Sequence, residues 1–127
     1  MQELSVIATN DAPQAIGPYS QAVRAGNLLF CSGQIPLDPK TQALVTGDIK
    51  TQTERVCLNL QGVLKAAGLD FSRVVKTTCF LKDMNQFTDF NSVYEKFFGS
   101  AKPARATVEV ARLPKDVLVE IELVASF

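Results

Sequence analysis

The sequence predicts an α+β fold, a sheet with two helices laid on one of its faces. Three observations lead there. Apolar residues recur at three- and four-residue spacing in only two segments. The other apolar segments are short, rich in β-branched residues and often alternating. The two kinds follow one another as β-β-β-α-β-α-β-β. Two amphipathic helices cover one face of a sheet of this size and leave the other open.

The elements follow in order. Val6-Ile7-Ala8-Thr9 is a short β-prone piece, and Asn10 to Pro18, with two prolines and Gly17, is a loop. Ala22–Ala25, Gly26-Asn27 and Leu28–Ser32 predict a hairpin, since glycine accepts the positive φ of a tight turn. Gly33 to Pro36 closes that strand, and Asp38 to Gly47 is a second loop. From Asp48 to Ala67 the residues Ile49, Thr53, Val56, Cys57, Leu60, Leu64 and Ala67 form one stripe, so this is a helix. Asp48 is its expected N-cap, and Gly68 occupies the place of a left-handed terminating residue. Val74 to Lys82 is a strand. Asp83 to Phe98 is the second helix, ended by Gly99, and its aromatic stripe of Phe87, Phe90, Tyr94, Phe97 and Phe98 reads as core.

Two strands remain, joined by the turn Leu113-Pro114-Lys115-Asp116; Arg105 enters the first and Glu120 lies in the second. In the second, Val117, Val119, Ile121 and Leu123 share the face expected under the helices, and Leu118, Glu120, Glu122 and Val124 share the other. A face washed by solvent is mostly polar. This one is half apolar, which predicts that other subunits cover it. Thirteen basic and thirteen acidic residues cancel, so net charge does not oppose association.

The 127 residues are expected to form one domain, spanning 1–127. No run of lysine or arginine is present to neutralise a phosphate backbone, so nucleic acid is not an expected partner. There is no histidine, and Cys31, Cys57 and Cys79 are widely spaced, so zinc and haem sites have almost no candidate ligands. The expected state of the cysteines is buried and reduced, which points to the cytoplasm. No apolar run reaches membrane-spanning length, and no signal-peptide core is evident.

Without histidine, acid–base chemistry falls to carboxylates, tyrosines or water. The residues left to carry it are Arg105, Glu120 and two loop-proximal motifs, Gly17-Pro18-Tyr19-Ser20 and Cys31-Ser32-Gly33-Gln34. From the residues alone, two readings of Arg105 stand. It is either the partner of a nearby glutamate (Glu109, Glu120 or Glu122) or a clamp for an anionic ligand.

Pro103-Ala104-Arg105-Ala106-x-Val108, Ala111-x-Leu113-Pro114 and Val119-Glu120-Ile121 resemble the C-terminal signature of the RidA/YjgF/UK114 family. Ala15-Ile16-Gly17-Pro18-Tyr19-Ser20-Gln21-Ala22, Ser32-Gly33-Gln34-Ile35 and Val74-Val75-Lys76-Thr77-Thr78 resemble its other blocks, in order and across essentially the whole chain. The resemblance implies a chorismate-mutase-like fold and a homotrimer around a central barrel, with active sites between subunits. It implies hydrolysis of enamine/imine intermediates such as 2-aminoacrylate and 2-iminobutanoate to 2-keto acids and ammonia. An iminium carbon is already electrophilic, so this chemistry calls for neither metal nor cofactor.

By the same resemblance Arg105 is the carboxylate clamp and Glu120 holds or deprotonates the attacking water. Tyr19, Ser32, Gly33, Asn91 and Thr107 line the substrate cleft. The residue-level alternatives are a loop anchor for Tyr19, a strand-end hydroxyl for Ser32 and a helix-surface amide for Asn91. Two departures stand out: Thr107 replaces a cysteine common in bacterial members, and Lys102 replaces a frequent phenylalanine. Other roles described among relatives are an RNA-directed endoribonuclease or translation inhibitor, and a non-catalytic keto-acid sensor or holdase.

Overall fold

The computed structural model describes residues 4–127. Residues 1–3 of the expected domain span lie outside the described residues. The chain runs β1 (Leu4–Ile7), β2 (Ala22–Ala25), β3 (Leu28–Gln34), α1 (Ile49–Ala66), β4 (Val74–Leu81), α2 (Phe87–Phe98), β5 (Ala104–Glu109) and β6 (Val119–Ser126). Single 3-10 turns at Phe71–Arg73, Met84–Gln86 and Pro114–Asp116 lead into β4, α2 and β6. The order is the expected one, and the differences are at the edges. Asp83 caps the 3-10 turn through Asn85 N–H at 2.9 Å instead of opening α2.

Capping chemistry sets the ends of α1. The Asp48 carboxylate accepts from Thr51 N–H at 2.9 Å, and Gly68 follows the helix at φ 76°. Leu69 N–H then reaches back to the Leu64 carbonyl at 2.9 Å, closing the terminal carbonyls. The end of α2 differs from expectation. Gly99 keeps a right-handed helical φ of −63°, and the left-handed turn falls on Lys102 at φ 49°.

The six strands are ordered β1-β2-β3-β6-β4-β5. Every pairing is antiparallel except β4 with β5, which are parallel and joined by α2 as the crossover. The last two strands, consecutive in the chain, therefore do not pair; β4 lies between them. Their burial explains this. Val119, Ile121, Leu123 and Ala125 of β6 are all buried, and such a strand belongs at the centre. The exposed and half-exposed β5 takes the edge.

The helix-facing rows of the sheet pack against Val56, Leu60, Val63 and Leu64 of α1 and Phe90, Tyr94 and Phe98 of α2. Register assigns the opposite face to Leu4, Val6, Leu28, Phe30 and Val108, all exposed, together with Phe80 and Glu120. The half-apolar open face inferred from alternation is therefore present.

Three buried amides fasten loops to this frame. Gln21 spans Thr9, Ala12 and Pro13, Gln52 joins Val45 to Leu118, and Asn59 donates to the carbonyls of Ile35 and Leu37. Each satisfies backbone groups that loops otherwise leave without partners.

A candidate site in two halves

Arg105 stands on edge strand β5, level with Thr77 of β4 and Leu123 of β6. Cross-strand partners point the same way, so its side chain rises on the helix side. There Nη1 donates to Asn91 Oδ1 at 2.7 Å. The guanidinium carbon lies 4.6 Å from the Tyr94 ring centre and 5.4 Å from that of Phe87. The single ion pair among the described residues joins Arg112 to Asp116, so Arg105 has no carboxylate partner there. Glu109 is engaged elsewhere, accepting from Met84 N–H at 2.8 Å. The structural ion-pair reading of Arg105 is thus not the one found. The arginine is exposed in the single chain instead of buried within its strand. It borders an open cleft of about 400 Å³ with Asn91, Tyr94, Glu95, Lys102 and Pro103. Asn91 is tied to the guanidinium and is not a free helix-surface amide.

Glu120 occupies the other face. It is level with Phe80, half-buried, and its carboxylate lies against Gly33, where a Cβ would come within 2.0 Å of Oε2. Burial, and secondarily the charge of Glu122, pushes its carboxyl above the ordinary glutamate value. Gly33 and Ser32 lie in a bulge: Cys31 faces Leu123 and Gln34 faces Ile121, so two residues oppose one. The Ser32 hydroxyl donates to the Ser20 carbonyl at 2.5 Å, as the strand-end reading expected.

Tyr19 is 54% exposed and follows a tight turn in which its N–H meets the Gly17 carbonyl at 2.9 Å. It is not packed into the core as a loop anchor. Together with Gly33, Ile16, Gln34 and Lys115 it lines a second cleft of about 330 Å³. Gln14 N–H bonds Gln42 Oε1 at 3.1 Å and joins the walls of that cleft.

Thr107 is level with Cys79 and shares the side of Arg105. Its buried hydroxyl oxygen has no hydrogen-bond partner among the described residues. A buried hydroxyl without a partner is costly unless something outside the chain meets it. The thiols are not poised as nucleophiles. Burial pushes Cys31 up to about 12, Cys79 up to about 11 and Cys57 higher still.

Among the described residues no three potential ligands of the His, Cys, Asp or Glu type gather into a metal-binding group. No helix there is long and apolar enough to cross a membrane.

The candidates thus fall into two sets. Arg105, Asn91 and Thr107 lie on the helix side near the β5 edge, and Glu120, Gly33, Ser32 and Tyr19 lie around β3 and the open face. Sequence reasoning missed Lys115, which lines the Tyr19 cleft at φ 56°. It also missed Tyr94 as the support beneath Arg105. The Leu-Pro-Lys-Asp turn gave the place of Lys115, though a lysine gives no sign of positive φ.

Comparison with known proteins shows the family and the fold. The Endoribonuclease L-PSP family matches residues 9–127. A RutC family protein of Pyrococcus horikoshii is 58% identical over 120 residues, covering 94% of this chain and 95% of that protein. Among solved structures, YyfA of the Rid family from Yersinia pestis superposes with a TM-score of 0.96 at 47% identity, covering 98% of this chain and all of that one. TdcF of E. coli, solved with bound serine, gives 0.91 at 42% identity and covers 97% and 98%. A family match over residues 9–127, together with a solved YjgF structure from E. coli that superposes with a TM-score of 0.90 at 48% identity, makes this chain a member of the YjgF/RidA family.

Proposed function

We propose that the protein hydrolyses the imines of small 2-amino acids to 2-keto acids and ammonia, at sites completed between the subunits of a homotrimer. The observation that carries this is the unengaged fork of Arg105. Its Nε and Nη2 have no protein acceptor among the described residues, while Asn91 and the aromatic rings hold the group in place. A guanidinium so presented matches a carboxylate with two parallel hydrogen bonds. The serine bound to TdcF supports a ligand of this size and class.

The two-sided layout supports the trimer. One chain separates Arg105 from Glu120 by the thickness of the sheet. In the proposed trimer neighbours cover the exposed face of Leu4, Val6, Phe30 and Val108, and at the β5 edge one chain's arginine cleft meets the other chain's Tyr19 and Gly33.

In the assembled site, Arg105 binds the substrate carboxylate and sets the imine carbon beside a water, which is catalysis by positioning. Glu120 accepts a proton as the water oxygen bonds to carbon, giving a carbinolamine. The proton then passes to nitrogen, the C–N bond breaks, and ammonia leaves as the hydroxyl oxygen becomes the ketone and gives its proton to the Glu120 carboxylate, which protonates the next imine. Tyr19 and Asn91 wall the cleft. Thr107 Oγ1 and the backbone at Gly33 meet substrate oxygen, and Ser32 shapes the bulge. The sum is imine plus water to keto acid plus ammonia.

The test couples a pyridoxal-phosphate-dependent serine or threonine dehydratase to this protein and follows imine decay. Arg105→Ala is expected to lose about 1.5–3 kcal/mol of charge-assisted bonding, roughly ten- to more than a hundredfold in rate. Arg105→Lys is expected to be nearly as slow, because the planar fork is gone. Parent-like decay with Arg105→Ala removes the clamp. Binding of a 2-keto acid without faster imine decay identifies a sensor instead. The family description names an endoribonuclease, but thirteen basic residues balanced by thirteen acidic ones provide no electrostatic track for RNA.

A further inference from the structure

Tyr94 was read from the sequence as part of an aromatic core stripe, and its surroundings show a second task. The residue is 6% exposed, and its hydroxyl lies 2.8 Å from Oγ1 of the fully buried Thr77. Thr77 is the ladder partner of Arg105. The face of the Tyr94 ring then comes back to the same arginine, with the guanidinium carbon 4.6 Å from the ring centre. The contacts therefore close a loop, from the Arg105 backbone to Thr77, to the phenol, to the ring and to the Arg105 side chain. Asn91 lies three residues before Tyr94 on the same side of α2 and holds Nη1. Phe98 stacks on the ring with centroids 4.4 Å apart, and Phe90 tilts against it at 5.6 Å.

An arginine on an exposed edge strand ordinarily samples many rotamers, and that freedom is lost on binding. Here the side chain is supported from beneath and tied at one nitrogen, and its other donors have no protein acceptor among the described residues. We propose that Tyr94 is a positioning residue for Arg105: its ring is the platform that holds the guanidinium for a carboxylate, and its bond to Thr77 fixes the height of that platform. This rests on the proposed reading of Arg105 as a carboxylate clamp.

A platform of this kind acts on substrate and transition state alike, so it shows in KM and not in kcat. Tyr94→Leu removes the ring face and is expected to weaken 2-oxobutanoate binding, measured by calorimetry, and to raise KM. The expected factor is about three- to thirtyfold, the range of a cation–π contact. Tyr94→Phe keeps the face and is expected to stay within about threefold of the parent. Thr77→Val leaves the buried phenol hydroxyl without its partner, which costs more than deleting that hydroxyl as Tyr94→Phe does, and should fall between them. A purely structural Tyr94 lowers the melting temperature in both tyrosine variants and leaves KM where it was.

A second measurement needs no ligand and no activity. The Arg105 Nε–H resonance of the parent is expected to carry a ring-current shift that Tyr94→Phe preserves and Tyr94→Leu reduces to the smaller contribution of Phe87. Parent-like 2-oxobutanoate affinity in Tyr94→Leu, or no ring-current shift in the parent, overturns the platform. A parent that shows the shift but neither binds the keto acid nor hydrolyses imines leaves the platform standing and removes the proposed activity instead.

Discussion

Arg105 and Glu120 stand on opposite faces of one sheet: Arg105 is level with Thr77 and Leu123 on the helix side, and Glu120 is level with Phe80 on the open side. No rotamer brings the two side chains together through a packed sheet. A site that uses both therefore takes them from different protomers.

Complementation tests this directly. Arg105→Ala and Glu120→Gln chains are each expected to be inactive alone. Refolded together in equal amounts, they should regain about a quarter of parental imine hydrolysis, because a quarter of randomly formed interfaces then carry both intact residues. No recovery in mixed oligomers places the site within one chain.

The pH dependence of Glu120 has a definite sign. Burial first and Glu122 second raise its carboxyl above the ordinary 4.5, so the folded state favours the protonated form. Its contribution to stability is full below the unfolded-state value and is lost as pH rises through the folded-state value. Activity runs the other way, since the base exists only above the folded-state value. The acid limb of the kcat/KM profile is expected above the ordinary glutamate value, and Glu122→Gln should move it down. A limb at the ordinary value that ignores Glu122→Gln contradicts the assignment.

Two glycines make contrasting predictions. A Cβ at Gly33 meets the end of the Glu120 side chain at 2.0 Å, and a flexible carboxylate can swing aside. Gly33→Ala is expected to change stability by no more than about 1 kcal/mol while cutting imine hydrolysis by more than about tenfold. At Gly62 the obstacle is the Asp11 backbone carbonyl at 2.4 Å, which cannot swing. Gly62→Ala is expected to cost about 1–3 kcal/mol. Denaturant unfolding beside the coupled assay separates the two, and a large stability loss at Gly33 would contradict this account.

Asn59 is fully buried and holds the carbonyls of Ile35 and Leu37 at 3.3 and 3.0 Å, just beyond the bulge that carries Gly33. Asn59→Ala leaves both carbonyls without this donor and is expected to cost about 2–3 kcal/mol in urea unfolding. A change below about 0.5 kcal/mol means that water replaces the amide at no penalty.

How much was legible in the sequence depended on whether the signal was local. The α1 stripe, the Asp48 cap, the Gly68 turn and the alternation of β6 depend on neighbours within a few residues, and each was readable. The strand order was not, because pairing β6 between β3 and β4 is decided by competition among distant apolar faces. Arg105 was legible as a candidate from its motif. Its opposition to Glu120 needed the register of three strands. Tyr94 shows the limit most clearly, since helical spacing identifies it as buried and says nothing of what lies on its ring.

β6 is sixth in the chain but fourth across the sheet, wedged between β3 and β4. Synthesis at about 5–20 residues per second therefore delivers the middle of the structure after both of its flanks. Until Val119 and the residues after it clear the ribosome, β3 and β4 each keep an unpaired edge, and the nascent chain has two sticky strands that cannot yet meet. Assembly of this fold is a late, abrupt event, and a chain cut short before Val119 is expected to emerge as a target for chaperones and proteases, not as a smaller folded unit.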